Sequence, residues 1–191
     1  MATNTTKPRV PAAERRAALV AAAVHEFAHG GLHGTSVQRI AQRVGVAQPY
    51  VFALFGSKRE LFLAALDRGF EMVALTFRRA ALDYAEGRAP ADCADVLEAM
   101  GRAYRDLLAS DRDYLMLQHQ SYAACCDDEF LRTRVRQRYA QLVALAGELS
   151  GAPPPRLDEF FRAGMALNVA AALGVEDLSA DCPWMREEIS G

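Results

Sequence analysis

Between Thr35 and Phe62 the chain reads TSVQRIAQRVGVAQPYVFALFGSKRELF, and this stretch constrains the fold more than any other. Gly45 and the Gly56-Ser57 pair cut it into three helical segments. The first two are too short to hold as isolated helices, so each must bury an apolar face against a neighbour. Thr35 with Gln38, and Ser57 with Glu60, both have the spacing of a capping box. Val37, Ile40, Ala41 and Val44 share one face of the first segment. Pro49 suits a first helical turn and pushes Gln48 out of the α region, so Gln48 is read as the cap and Pro49 as the first helical residue. The third segment carries one apolar stripe, Leu66, Phe70, Val73 and Phe77, until about residue 85.

Two short helices that cross at roughly 90–120° over a tight turn bring their backbones close. Ala41 and Gly45 are small enough for that approach, and glycine takes the positive φ a turn needs. Ile40, Val44, Val46, Val51 and Leu54 then fill the wedge between the helices. The spacing predicts a helix-turn-helix. Gln48, Pro49, Tyr50, Phe52 and Ala53 are the residues able to face a major groove. Gln48 can make two hydrogen bonds to adenine, and Pro49 and Ala53 can touch a thymine methyl. Thr35, Ser36 and Lys58 stand at helix N-termini, where hydroxyls, backbone N–H groups and an ammonium suit phosphates.

The charge agrees with a polyanion partner. Residues 1–66 hold eight Lys or Arg and three acids, net +5, while the remainder is −7. Residues 1–10 read as a flexible tail whose Lys7 and Arg9 could reach phosphates. Arg15 and Arg16 before the apolar run 17–24 imitate a signal peptide, but the run continues as a helix through Phe27. No stretch of about 18 apolar residues is free of charge, so no membrane span is expected. Four cysteines without a CxxC pair point to a reduced, cytoplasmic protein.

Leu19, Ala23 and Phe27 give the first helix its stripe, and Gly30 and Gly31 stop it. Beyond the break at Gly87-Arg88-Ala89-Pro90, helices are predicted over 92–109, 111–124, 127–149 and 156–173, with a short one after Pro183. No segment alternates with period two, so the fold class is all-α. The expected domains are residues 11–66, with helix 4 running on to about 85, and residues 67–191.

The segment GVAQPYVFALFGSKRELF resembles the TetR/AcrR family of bacterial regulators, which commonly read GVSKGTLYHYFGSKEELF here. The resemblance is close over residues 15–70. It implies a DNA-binding domain, a linking fourth helix, and a C-terminal helical domain that dimerises and binds a small effector. The implied protein is no enzyme and needs no cofactor or metal. It is a repressor that a small apolar or aromatic molecule releases from a double-stranded operator. Gln48-Pro49-Tyr50 replaces the usual Lys-Gly-Thr, and Phe52 and Leu54 replace tyrosines, so hydroxyl contacts to phosphate are lost. Lys58 matches the family's phosphate-contacting lysine.

For the effector pocket the candidates are Phe70, Phe77, Met100, Tyr104, Met116, Gln120 and Tyr122. For the homodimer interface they are Phe160, Phe161, Gly164, Met165, Asn168, Ala171 and Ala172. Two alternatives stand beside this reading. Cys125 and Cys126 could make a thiol-responsive regulator. His25-Glu26-Phe27-Ala28-His29 matches the HExxH pattern of a zinc hydrolase, in which two histidines share a helix face and the glutamate activates water.

Overall fold

Local signals set where most helices start and stop. A computed structural model describes residues 11–175 and contains eight helices and no strand among them. They are α1 (Ala12–Gly34), α2 (Val37–Val44), α3 (Gln48–Phe55), α4 (Lys58–Ala85), α5 (Val96–Ser110), α6 (Arg112–Asp127), α7 (Glu129–Ser150) and α8 (Pro154–Leu173). The tail at 1–10, the helix expected after Pro183, and Cys182 lie outside the described residues.

Side-chain caps open α4, α5, α6 and α7. Ser57 accepts from the Glu60 N–H, Asp95 from Glu98, Asp111 from Asp113 and Asp128 from Leu131. The cap at Asp95 starts α5 four residues later than the predicted 92. α8 starts at Pro154 rather than 156, because prolines are tolerated in a first turn, where no N–H is needed. Likewise the cap of α3 is Ala47, with Gln48 and Pro49 as its first two residues, one position earlier than expected. Gly45 closes α2 in the left-handed region (φ 71°), and the Val46 N–H reaches back to the Ala41 carbonyl at 3.0 Å. Gly31 (φ 61°) breaks the helical path of α1 as the glycine pair predicted.

The helices enclose two apolar cores. The first joins Leu19, Ala23 and Phe27 of α1, Ile40 of α2, Val51 of α3, and Leu61 and Phe62 of α4. The Phe27 and Phe62 rings meet edge to face, 5.0 Å apart. Leu117 of α6 and Leu131 of α7 belong to the same core. The N-terminal helices therefore use the C-terminal half as one wall, and the packing does not divide cleanly at residue 66. The second core gathers Phe77, Leu97, Met100, Tyr104, Leu115, Leu142 and Ala146. The α7 stripe of Leu131, Leu142 and Ala146 is buried within these cores. α4 runs through both, and no helix among the described residues is long and apolar enough to cross a membrane.

Phe62→Ala should lower the unfolding free energy by about 3–5 kcal/mol, because a fully buried ring leaves a cavity. Phe52→Ala, at a ring 39% exposed, should change it by no more than about 0.5 kcal/mol. Urea denaturation compares the two directly. Equal losses would mean that the outer side of α3 is packed.

Candidate nucleic-acid interface and effector cavity

α3 is held by its inner side. Val51 and Phe55 are buried, while Pro49, Phe52 and Ala53, spaced i, i+3, i+4, are exposed. That spacing puts all three on one solvent-facing stripe. Gln48 is half-buried at the start of the helix. Tyr50 is half-buried as well. It packs against the first core, and the Arg15 guanidinium stands over its ring at 5.7 Å. Tyr50 thus turns toward α1 rather than fully outward, a departure from the five-residue reading face. The Arg16 guanidinium covers the Phe55 ring in the same way at 4.9 Å.

The residues assigned to phosphates separate into different environments. Ser36 is the exposed N-cap of α2, and its side chain makes no cap bond. Thr35 is 5% exposed, and its hydroxyl donates to the Glu26 carbonyl at 2.9 Å. Its side chain is therefore neither the cap of α2 nor available to DNA. The Thr35-to-Gln38 capping box does not form, because the hydroxyl closes the turn after Gly31 instead. Lys58 Nζ donates to the His33 carbonyl at 3.0 Å, and partial burial lowers its pKa. This bond leaves two N–H donors on the ammonium and ties the start of α4 to the segment leading into α2.

Glu26, which the sequence offered only as the glutamate of an HExxH pattern, serves instead as an anchor between helices. It is 5% exposed, and its two oxygens take Arg43 Nε at 2.5 Å and an Arg39 guanidinium nitrogen at 3.1 Å. A buried carboxylate needs such partners, and here they lock α2 against α1. Two of the eight cationic groups of residues 1–66 are thereby paired within the chain, although both arginine side chains remain exposed. The acidic side chain on the apolar stripe, one residue before Phe27, was the available signal. The same geometry removes Glu26 from the HExxH arrangement: it points into the α1–α2 contact and cannot activate a water beside His25 and His29. Those histidines face α6, where Asp113 accepts from His25 Nδ1 at 2.7 Å and lies 3.2 Å from His29 Nε2.

Between α4, α5, α6, α7 and α8 lies a cavity of about 910 Å³. Phe70, Phe77, Tyr104 and Tyr122 line it, together with Gln118, Phe160, Phe161 and Asn168. Met100, Met116 and Gln120 do not. Met100 is fully buried in the second core, Met116 packs on the first, and the Gln120 side chain turns to Gly31 and the Ala28 carbonyl. At the cavity wall the Tyr104 hydroxyl lies 2.8 Å from Asn168 Oδ1 and 3.0 Å from Gln118 Oε1. Gln118 Nε2 donates to the Tyr122 hydroxyl at 2.6 Å, and His119 Nε2 is 3.0 Å from the Asn168 carbonyl. Burial pushes the pKa of both Tyr104 and Tyr122 above the ordinary 10.0, so both phenols stay protonated at neutral pH. Arg105 and Arg136 also line the cavity, and among the described residues neither has a carboxylate partner.

α8 divides its residues differently from the expected dimer surface. Asn168 and Ala171 are buried, and Phe160 meets Phe77 edge to face, so these three serve this chain's own interior. Phe161 packs on Tyr139, and Gly164 lies at the cavity wall. Met165, Val169 and Leu173 are 43%, 49% and 69% exposed, with Ala172 beside them, and form the outward apolar stripe. Cys125 is half-buried, and burial pushes its thiol pKa up, which lowers the reactive thiolate fraction. Cys126 Sγ donates to the Tyr122 carbonyl at 3.4 Å.

With this geometry in view, the chain can be placed among known proteins. Residues 19–65 match the family described as bacterial regulatory proteins, tetR family. The HTH-type transcriptional activator FasR of Mycolicibacterium smegmatis is 32% identical over 108 residues, 54% of this chain and 49% of that protein. The chain thus spans about half the length of FasR. The HTH-type transcriptional repressor NicS of Pseudomonas putida is 28% identical over 160 residues, covering 83% of this chain and 69% of NicS. A solved TetR family member from Streptomyces coelicolor A3 superposes with a TM-score of 0.64 at 24% identity, covering 93% of this chain and 96% of that one.

Tyr104→Phe should cost about 1–3 kcal/mol of stability, since it strips the buried Asn168 Oδ1 of its donor. It should also flatten the alkaline limb of the stability profile. A phenol whose pKa is raised by folding keeps its proton longer in the native state, so stability falls as pH climbs past the unfolded value of 10.0. Denaturation at pH 8 and at pH 11 measures both effects. An unchanged alkaline slope in the variant would mean that Tyr104 ionises freely.

Proposed function

We propose that this chain, whose residues 19–65 match the tetR family of bacterial regulatory proteins, is a dimeric, ligand-responsive transcriptional repressor acting in the cytoplasm. The observation that carries the reading is the outer stripe of α3, Pro49, Phe52 and Ala53, on a helix anchored from behind by Val51 and Phe55. A helix held this way can enter a major groove without giving up core contacts. Gln48 at its N-terminus reads an adenine edge, and the apolar stripe meets thymine methyls. Ser36 and Lys58 contact phosphates on either side of the groove. The repressor sign rests on NicS, whose similarity extends over most of this chain, whereas FasR, an activator, matches over about half.

The effector occupies the cavity between α4 and α8. Its size falls within the range of small-molecule sites, about 300–1,000 Å³. Aromatic walls at Phe70, Phe77 and Phe160 suit a flat, apolar molecule, and the Tyr104–Gln118–Tyr122 group supplies one or two hydrogen bonds. Because α4 runs from Lys58 at the DNA side to Phe77 at the cavity, a ligand that favours one pose of α4 also favours one pose of α3. The dimer forms on the outward stripe of α8, Met165, Val169 and Leu173.

A gel-shift on DNA upstream of the chain's own gene, repeated with a small-molecule panel, tests the reading. Binding should weaken steeply with salt. Gln48→Ala should relax base choice by about 1–3 kcal/mol at one position. Lys58→Ala should weaken all sequences alike and reduce the salt slope by about one. A change of base preference in Lys58→Ala would remove that lysine from the phosphate set. Val169→Glu should convert the dimer to a monomer in size-exclusion chromatography with light scattering, and a dimer that persists would place the interface elsewhere.

A further inference from the structure

On the side of α1 that faces α6, three side chains converge whose chemistry the DNA-binding reading does not use. His25 and His29 are one helical turn apart, and their ring centroids lie 4.7 Å from one another. Asp113 stands opposite in the first turn of α6, its backbone N–H held by Asp111 Oδ1 at 3.0 Å. Its two oxygens are divided, Oδ2 toward His25 Nδ1 at 2.7 Å and Oδ1 toward His29 Nε2 at 3.2 Å. One nitrogen from each histidine and one carboxylate oxygen all lie within 4.8 Å of one another.

We propose that His25, His29 and Asp113 bind a divalent transition-metal ion, Zn²⁺ or a neighbour such as Co²⁺ or Ni²⁺, that clamps α1 to α6. Two imidazoles and one carboxylate are borderline ligands that favour these ions over Ca²⁺ or Mg²⁺. A tetrahedral ion with bonds of about 2.0–2.1 Å needs donor atoms roughly 3.3 Å apart. The histidine nitrogens lie 2.7 and 3.2 Å from separate Asp113 oxygens and the three donor atoms fall within 4.8 Å of one another, so the side chains would rotate to close on one ion. The histidine side chains are 39% and 53% exposed and the Asp113 side chain 24%, which leaves a path for entry and a fourth position for water.

The site lacks the water-activating glutamate of the zinc-hydrolase pattern. Glu26 leaves on the other side of α1 to hold Arg39 and Arg43. One helix therefore carries the metal ligands on one side and the anchor of α2 on the other. An ion bound at the seam fixes how the helix-turn-helix sits against α6, which forms part of the cavity wall. The inference stands on this geometry alone and does not require an operator or an effector to be known.

The tag-free full-length chain, stripped with EDTA and desalted, is titrated with Zn²⁺ in competition with a chromophoric chelator, and with Co²⁺ under visible absorption. The expected result is one ion per chain, tetrahedral Co²⁺ bands, and a rise in Tm with saturating Zn²⁺, because a ligand selective for the native state stabilises it. His29→Ala and Asp113→Asn should each weaken binding at least about tenfold, since loss of even an outer partner of a metal ligand costs that much. Both should abolish the Tm rise. A double variant with Cys125→Ser and Cys126→Ser should bind like the parent. His29 is exposed, so its variant should retain the parent's metal-free Tm. Absence of stoichiometric binding, or equal binding by His29→Ala, would overturn the site and leave the three residues as an ion pair only.

Discussion

The buried carboxylate of Glu26 is the polar contact on which the seating of α2, and through it α3, depends. A charge taken out of water must be met by opposite charge, and Arg39 and Arg43 meet it from a single face of α2. With Thr35 bonding the backbone of the same residue, α2 is fixed to α1 by polar bonds of defined direction as well as by apolar contact. α3 then follows from the turn at Gly45, and its exposed stripe follows from α3. Removing one partner would leave the remaining charges poorly matched, so direction is conferred here by electrostatics and cohesion by the core of Leu19, Phe27 and Phe62.

α1 and α4 divide the work of connection between them. α1 touches α2 through Glu26, α4 through Phe27, and α6 through His25 and His29. α4 shares the first core near Leu61 and the cavity wall near Phe77. The cavity wall is thus joined to the N-terminal helices in two ways, along α4 and across the α6–α1 seam. Helices packed at interior density shift as units rather than deform, which makes both connections physically direct.

The elements written in short-range chemistry were legible. Ser57 and Glu60 form the cap their spacing indicates, Gly45 takes positive φ, and Gly31 breaks α1. Of the five residues expected to face outward, Pro49, Phe52 and Ala53 are exposed together, while Gln48 is half-buried and Tyr50 turns toward α1. Legibility ended wherever a side chain's partner lies far along the chain. Thr35 has the form of a cap, yet Glu26 supplies a better acceptor, nine positions back. Gln120 looked like a polar wall of the cavity, but it fills the space left by Gly31, and no pattern around Gln120 encodes that glycine. From Ala163 to Leu173 only Asn168 interrupts the apolar residues of α8, so periodicity could not separate its inward side from the side left outward.

What the sequence determined alone was local: an all-helical chain, the turn at Gly45, and a short helix starting near Pro49 with a usable outer stripe. These follow from steric limits on glycine and proline and from the 3.6-residue period, which act over a few residues. The tertiary structure decided which side of each helix is inside. It turned Tyr50 toward α1 and Asn168 toward Tyr104, and it set Asp113 against two histidines more than eighty positions away. Those outcomes depend on which helices pack together, and that is settled by the total burial of apolar surface and the pairing of buried charge over the whole chain, which no short window contains.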